Sequence, residues 1–105
     1  MSRPARIEIA DFGPCGDTLL LAEYDAEVDT IRVNGRALER VRAERGALEA
    51  ELFMASAVAH EAFHRTQPNA SEAAVHAHVR AATGSDPRRF ETFVRVRYDR
   101  RDVEP

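Results

Sequence analysis

From Ala47 to Thr66 the chain runs without a glycine or a proline, and Ala, Leu, Glu and Met are frequent there. These residues carry high helix propensities. Gly46 stands in front of the stretch and Pro68-Asn69 behind it, so one long helix is the element the sequence commits to most firmly. Leu48, Leu52, Ala55, Ala59, Ala62 and Phe63 recur close to a 3.6-residue period. They are the expected core-facing stripe.

The N-terminal third reads differently. Arg6 to Ala10 (RIEIA) alternates apolar and polar, the pattern of a half-buried strand. Gly13 to Asp17 (GPCGD) is a turn cluster. Thr18 to Tyr24 (TLLLAEY) suits a more buried strand, Asp25 to Asp29 (DAEVD) a polar connector, and Thr30 to Val33 (TIRV) a further strand ended by Asn34-Gly35. Thr18 to Val33 is thus a predicted hairpin with a loop of about five residues. Arg36 to Arg45 forms a helix with Leu38 and Val41 inward, and Gly46 either ends it or is tolerated inside a longer one. Ser71 caps another that runs to about Ala82, with Val75 and Val79 inward and Gly84 at its end. Asp86 and Pro87 can open a short further helix. Phe93 to Tyr98 (FVRVRY) alternates and fits either a helix tail or a last strand. Phe53, Phe63, Phe90 and Phe93 read as core or interface residues, and Met54 as a packing filler. The expected class is α+β: a short antiparallel or mixed sheet from the N-terminal third, packed on the long helix and the helix after it.

Within the long helix lies VAHEAFHRTQ, Val58 to Gln67, which contains H-E-x-x-H as His60, Glu61 and His64. Residues four apart on a helix lie on one face, so the two imidazoles project side by side. That spacing lets both bind one Zn²⁺ at about 2.0–2.1 Å. Glu61 is rotated by about 100°, too far for a third ligand but suited to a general base beside the open coordination position. A third ligand must come from elsewhere. Glu72 is the first candidate, since it opens the next helix beyond the Pro-Asn turn. His76, one turn further on the same face, is the alternative ligand or an electrophile near a substrate oxygen. His78 points to another face. Tyr24 and Tyr98 are further candidates for stabilising an oxyanion. Arg65 puts a cation directly after His64, with a stem long enough to carry its charge to water.

The remaining composition narrows the field. The 105 residues suffice for one domain with one modest core, and residues 1–105 are taken as such. Apolar residues at 44% and charged ones at 31% describe a globular chain rather than a disordered one. All 15 bases are arginines, scattered among 18 acids for a net charge of -3, so no basic stripe tracks a phosphate backbone and nucleic acid is not expected as a partner. The single cysteine, Cys15, has no internal disulfide partner and no CxxC companion. No apolar run approaches the ~20 residues of a membrane span, and no secretory leader is visible, so a cytoplasmic address without membrane association is expected.

The motif-bearing segments resemble the zincin metallopeptidases, and within them the gluzincins, of which the minigluzincins and the ImmA/IrrE-type peptidases look most similar. AVAHEAFH, Ala57 to His64, resembles their active-site helix. SEAAVHAHV, Ser71 to Val79, resembles their glutamate helix, and DTIRVN, Asp29 to Asn34, their edge strand. The resemblance covers roughly Thr18 to Ala82, and only H-E-x-x-H within it is sharply specific. It implies a small zincin-like domain with one Zn²⁺ per chain. His60, His64 and Glu72 would be the ligands and Glu61 the general base for hydrolysis of a peptide or protein substrate. The strand at Thr30 to Val33 would receive that substrate by strand addition.

Three functions follow as expectations: a minimal zinc metallopeptidase, active or latent; a zincin-fold protein that binds metal or a partner without hydrolysis; and a small α+β interaction module. Latency has a device to hand, since Asp99, Asp102 and Glu104 in the C-terminal YDRRDVEP could occupy an open metal position. A core this small also leaves room for a homodimer that buries phenylalanines.

Overall fold

Three short strands and three helices make up the described part of the chain, which in this computed structural model comprises residues 4–11, 21–86, 88 and 90. The strands are β1 (Arg6–Ala10), β2 (Ala22–Asp25) and β3 (Thr30–Asn34). The helices are α1 (Gly35–Arg45), α2 (Ala47–Thr66) and α3 (Glu72–Thr83). The chain is α+β, with a mixed sheet. Its order is β1-β3-β2: β1 runs parallel to β3 and β2 antiparallel to it.

Alternation sorts the sheet into two faces. Ile31 and Val33 of β3 and Ala22 of β2 turn inward and are buried. They meet Ala37, Leu38 and Val41 of α1 and Ala50, Phe53 and Ala57 of α2. On the other face Arg32 reaches Glu8 on β1 at 3.5 Å, and Glu23 and Asp25 on β2 at 3.4 and 3.0 Å. One central arginine thus links both flanking strands, which are the cross-strand neighbours its register gives it. β1 lies beyond the cover of the helices, and its Ile7 and Ile9 remain exposed.

The predicted hairpin is present between β2 and β3, with a turn of four residues, 26–29. Thr18 to Leu20 lie outside the described residues, as do the GPCGD turn with Cys15 and the FVRVRY segment. Pro87, the expected start of a short further helix, lies outside them too. Phe90 is buried and meets Phe53 edge to face, with ring centroids 5.7 Å apart.

Asn34 does more than end β3. Its side chain accepts a hydrogen bond from the Arg36 amide at 3.1 Å and caps α1, so strand and helix follow without a loop. Gly46 then separates α1 from α2 at φ +95°, a conformation a side chain would resist. Ser71 caps α3 through the Ala74 amide at 3.1 Å, and Gly84 ends it in the left-handed region.

Two expectations need correction. DTIRVN is not an edge strand: β3 is central, and both its edges are occupied by β1 and β2. Strand addition at Thr30 to Val33 is therefore blocked. The stripe on α2 is also rotated. Ala50, Phe53, Ser56 and Ala57 are buried, whereas Leu48 is 82% exposed and Ala55 is exposed. Leu52 and Ala62 pack at the margin of the core. Alanines occur on every side of α2, so several faces satisfied the 3.6 period. The choice fell to Phe53, the largest side chain available to fill the space under the sheet.

Candidate metal centre

The last two turns of α2 carry His60, Glu61 and His64, and the chain must reverse for anything beyond to reach them. It does so within residues 67–70. The Gln67 amide bonds to the Phe63 carbonyl at 2.8 Å, and the Ala70 amide to the Gln67 carbonyl at 3.1 Å. α3 then packs back along α2, with Val75 and Val79 fully buried. Glu72, in the first turn of α3, arrives opposite the histidines.

His60, His64 and Glu72 each offer one ligand atom, and these atoms all lie within 4.8 Å of one another. The His60 and His64 rings stand 5.0 Å apart. His64 Nε2 is 3.8 Å from Glu72 Oε1. Two imidazoles and one carboxylate form a donor set that zinc takes in catalytic sites, at about 2.0–2.2 Å from each ligand. Small side-chain rotations suffice to close the group on one ion, so the residues present fit it. His76 stands behind rather than within the group. Its Nε2 is 3.6 Å from the other carboxylate oxygen of Glu72, and its ring is 6.2 Å from that of His60. That is where a residue orienting a carboxylate ligand belongs. His78 is exposed and stacked on Phe63 at 4.6 Å, away from the cluster, on the separate face expected for it.

Glu61 is half-buried beside the cluster. Burial, and then the charges of Glu23 and Glu72, push its carboxyl up to about 7. A carboxyl poised there is matched to proton transfer near neutral pH. Among the described residues none forms an ion pair with it.

Arg65 goes neither to water nor to the cluster. Its Nε and Nη2 donate to the two carboxylate oxygens of Asp29, each at 2.8 Å. The Tyr24 hydroxyl donates to Asp29 Oδ1 at 2.5 Å. Hydrogen bonds from Tyr24 and then Arg65 hold the Asp29 carboxyl below its ordinary value, and the bond to Asp29 holds the Tyr24 phenol above its own. Tyr24, a candidate for oxyanion stabilisation, is thus committed to Asp29. Tyr98, the other tyrosine candidate, and the acids Asp99, Asp102 and Glu104 lie outside the described residues.

Sequence reasoning missed Glu23, whose charge acts on Glu61, and Asp29 as the partner of Arg65. Asp29 precedes Arg65 by 36 positions, and nothing in DAEVD marks which acid faces a helix. No family model, no curated protein and no solved structure matches the chain.

Proposed function

We propose that this chain is a minimal zinc-dependent metallopeptidase of zincin-like, gluzincin-type design, resembling the minigluzincins. The convergence of His60, His64 and Glu72 from two helices, with Glu61 one position round, is the observation that carries this reading. The proposed ligands are His60, His64 and Glu72, one Zn²⁺ per chain. The ion, when bound, supplies Lewis acidity that acidifies a water and polarises a scissile carbonyl. Glu61 takes the proton of that water on its carboxylate and delivers it to the leaving amine. His76, its Nε2 3.6 Å from Glu72 Oε2, would orient that carboxylate as an outer partner. Since β3 is central, an extended peptide would add to the sheet at β2, whose outer edge is unpaired among the described residues.

A second reading is favoured by one observation. The Glu72 side chain is 68% exposed, so the cluster sits at the surface, where an ion can be held without a substrate cleft around it. This reading makes the chain a metal-binding or protein-interaction module without hydrolysis. In either case no helix among the described residues is long and apolar enough to cross a membrane.

Metal content of untagged protein tests both. About one zinc per chain is expected, lost in His60→Ala and weakened in Glu72→Ala. Glu61→Gln should keep the zinc and abolish peptide hydrolysis. Hydrolysis undiminished in Glu61→Gln would remove the proposed base. A zinc-loaded wild type inert toward unstructured peptides would favour the second reading. No zinc in wild type, even after incubation with the ion, would end both.

A further inference from the structure

Arg65 follows a proposed ligand directly and lies four positions after Glu61. A glutamate and a base at i and i+4, in that order, are the favoured ion pair on a helix surface. The default partner of Arg65 is therefore Glu61. Such a pair would tie up the carboxylate and bring a cation against the metal group. In the structure the pair is absent. The guanidinium turns to Asp29 in a two-pronged contact, 2.8 Å on each side, the strongest geometry an arginine has for a carboxylate.

Asp29 is held for this contact at a cost. Its φ is +48°, the left-handed region, which strains residues other than glycine though Asp and Asn least. The strain persists because three elements fix the residue. Its carbonyl accepts the Arg6 amide at the start of β1 at 3.1 Å. Its carboxylate accepts the Tyr24 hydroxyl of β2 at 2.5 Å and the Arg65 fork of α2. A strained, over-determined acid beside a candidate site is an observation from which a role can be argued.

We propose that Asp29 is a positioning residue that draws the Arg65 guanidinium away from Glu61 and from the His60–His64–Glu72 group. The inference rests on the proposed metal site.

The test is a double-mutant cycle read as Zn²⁺ affinity, by competition with a chromogenic chelator, on the full chain. Asp29→Asn removes the charge and tolerates the left-handed backbone. Asp29→Gly removes the side chain as well and relieves the strain, so one of the two should fold, as a thermal melt of the metal-free protein will show. Either should weaken zinc binding by about tenfold, the lower range for groups around a metal site, because the freed arginine moves toward the cluster. Arg65→Ala should stay within about threefold of wild type, and Asp29→Asn with Arg65→Ala should return to the level of Arg65→Ala. Rescue by removing the second partner is what a purely structural clasp would not give. Equal losses in both single variants with no recovery in the double would overturn the proposal, as would unchanged affinity in Asp29→Asn and Asp29→Gly. Zinc binding by wild type in those cases leaves the metal site standing. A wild type that binds no zinc fails the site itself, and the inference with it.

Discussion

The two halves of α2 are one continuous helix with opposite surroundings. The first half sinks Ala50, Phe53, Ser56 and Ala57 into the core beneath β3 and against α1. From His60 to Arg65 every residue is only half-buried, held between α3 and the β2–β3 turn. The first half gains its position from apolar packing, which is non-directional and tolerant of side-chain identity. The second gains its position from a few directed contacts: the capped start of α3, the Glu72 carboxylate among three imidazoles, and the Arg65 fork. A helix is stiff, so the packed half acts as a mount and the other half carries the proposed ligands. Site geometry of this kind is sensitive to the contacts at the far end and robust to the details of the near one.

The strongest way to break that division is to hollow out the mount. Phe53→Ala removes a 1% exposed ring that touches Phe90. It should cost about 3–5 kcal/mol, read as a lowered denaturation midpoint in urea. The carrier half keeps all its groups, so whatever fraction remains folded should still take up zinc at one ion per chain. Loss of zinc from molecules that are demonstrably folded would mean the two halves are not separable.

Much of this arrangement was legible in the sequence, and what was not has a common cause. The C-terminal end of α2 follows from Pro68, and the start of α3 from Ser71, because caps and breakers act within a few residues of themselves; the break at Gly46 stayed open, since a helix can also tolerate a glycine. H-E-x-x-H and the return of Glu72 were readable for the same reason: a helix, a short turn and another helix form a local unit. Three features were not readable. The periodic stripe does not fix the buried face of α2, because alanines surround the helix and Phe53, itself expected in the core or an interface, lies off that stripe. β3 is central where the resemblance implies an edge, because strand order depends on where β1 docks, a pairing across 24 positions that no local pattern encodes. Asp29 reads as connector because its partner, Arg65, is more remote still. Local chemistry could be read, and the choice among long-range partners could not.

A smaller effect sharpens the comparison from the carrier side. Glu61 is harder to ionise in the fold than in an unfolded chain, its carboxyl moving from the ordinary 4.5 up to about 7, first through burial and then through Glu23 and Glu72. The folded state therefore holds a proton that the unfolded state has released anywhere between those values. Its contribution to stability is fully present below pH 4.5 and fades as pH rises through about 7. Metal-free protein in chelator should thus lose stability across that window. Glu61→Gln should flatten the loss, and zinc should offset it, since a divalent cation beside the carboxylate favours its charged form. The same titration on Phe53→Ala should show the same slope on a lower baseline. A slope that survives Glu61→Gln unchanged would assign it to other groups.

The smallest effect belongs to the residue where the mount begins. Leu48 is apolar and lies in the first turn of α2, yet it is 82% exposed. The stripe read from sequence makes it a core residue, so its replacement by glutamate should cost what any buried charge costs. The structure gives the opposite sign. An exposed leucine loses little on becoming polar, and surface changes of this sort stay within about 0.5 kcal/mol. A carboxylate in the first helical turn also meets the positive end of the helix dipole, worth about 0.3–1 kcal/mol at low salt. Leu48→Glu should therefore leave the urea midpoint unchanged or raise it slightly, and the gain should shrink as salt is added. A loss above about 1 kcal/mol would show that something covers Leu48 in solution. The packed face of α2 would then be wider than Ala50, Phe53 and Ala57, and the boundary between its two halves would have to be redrawn.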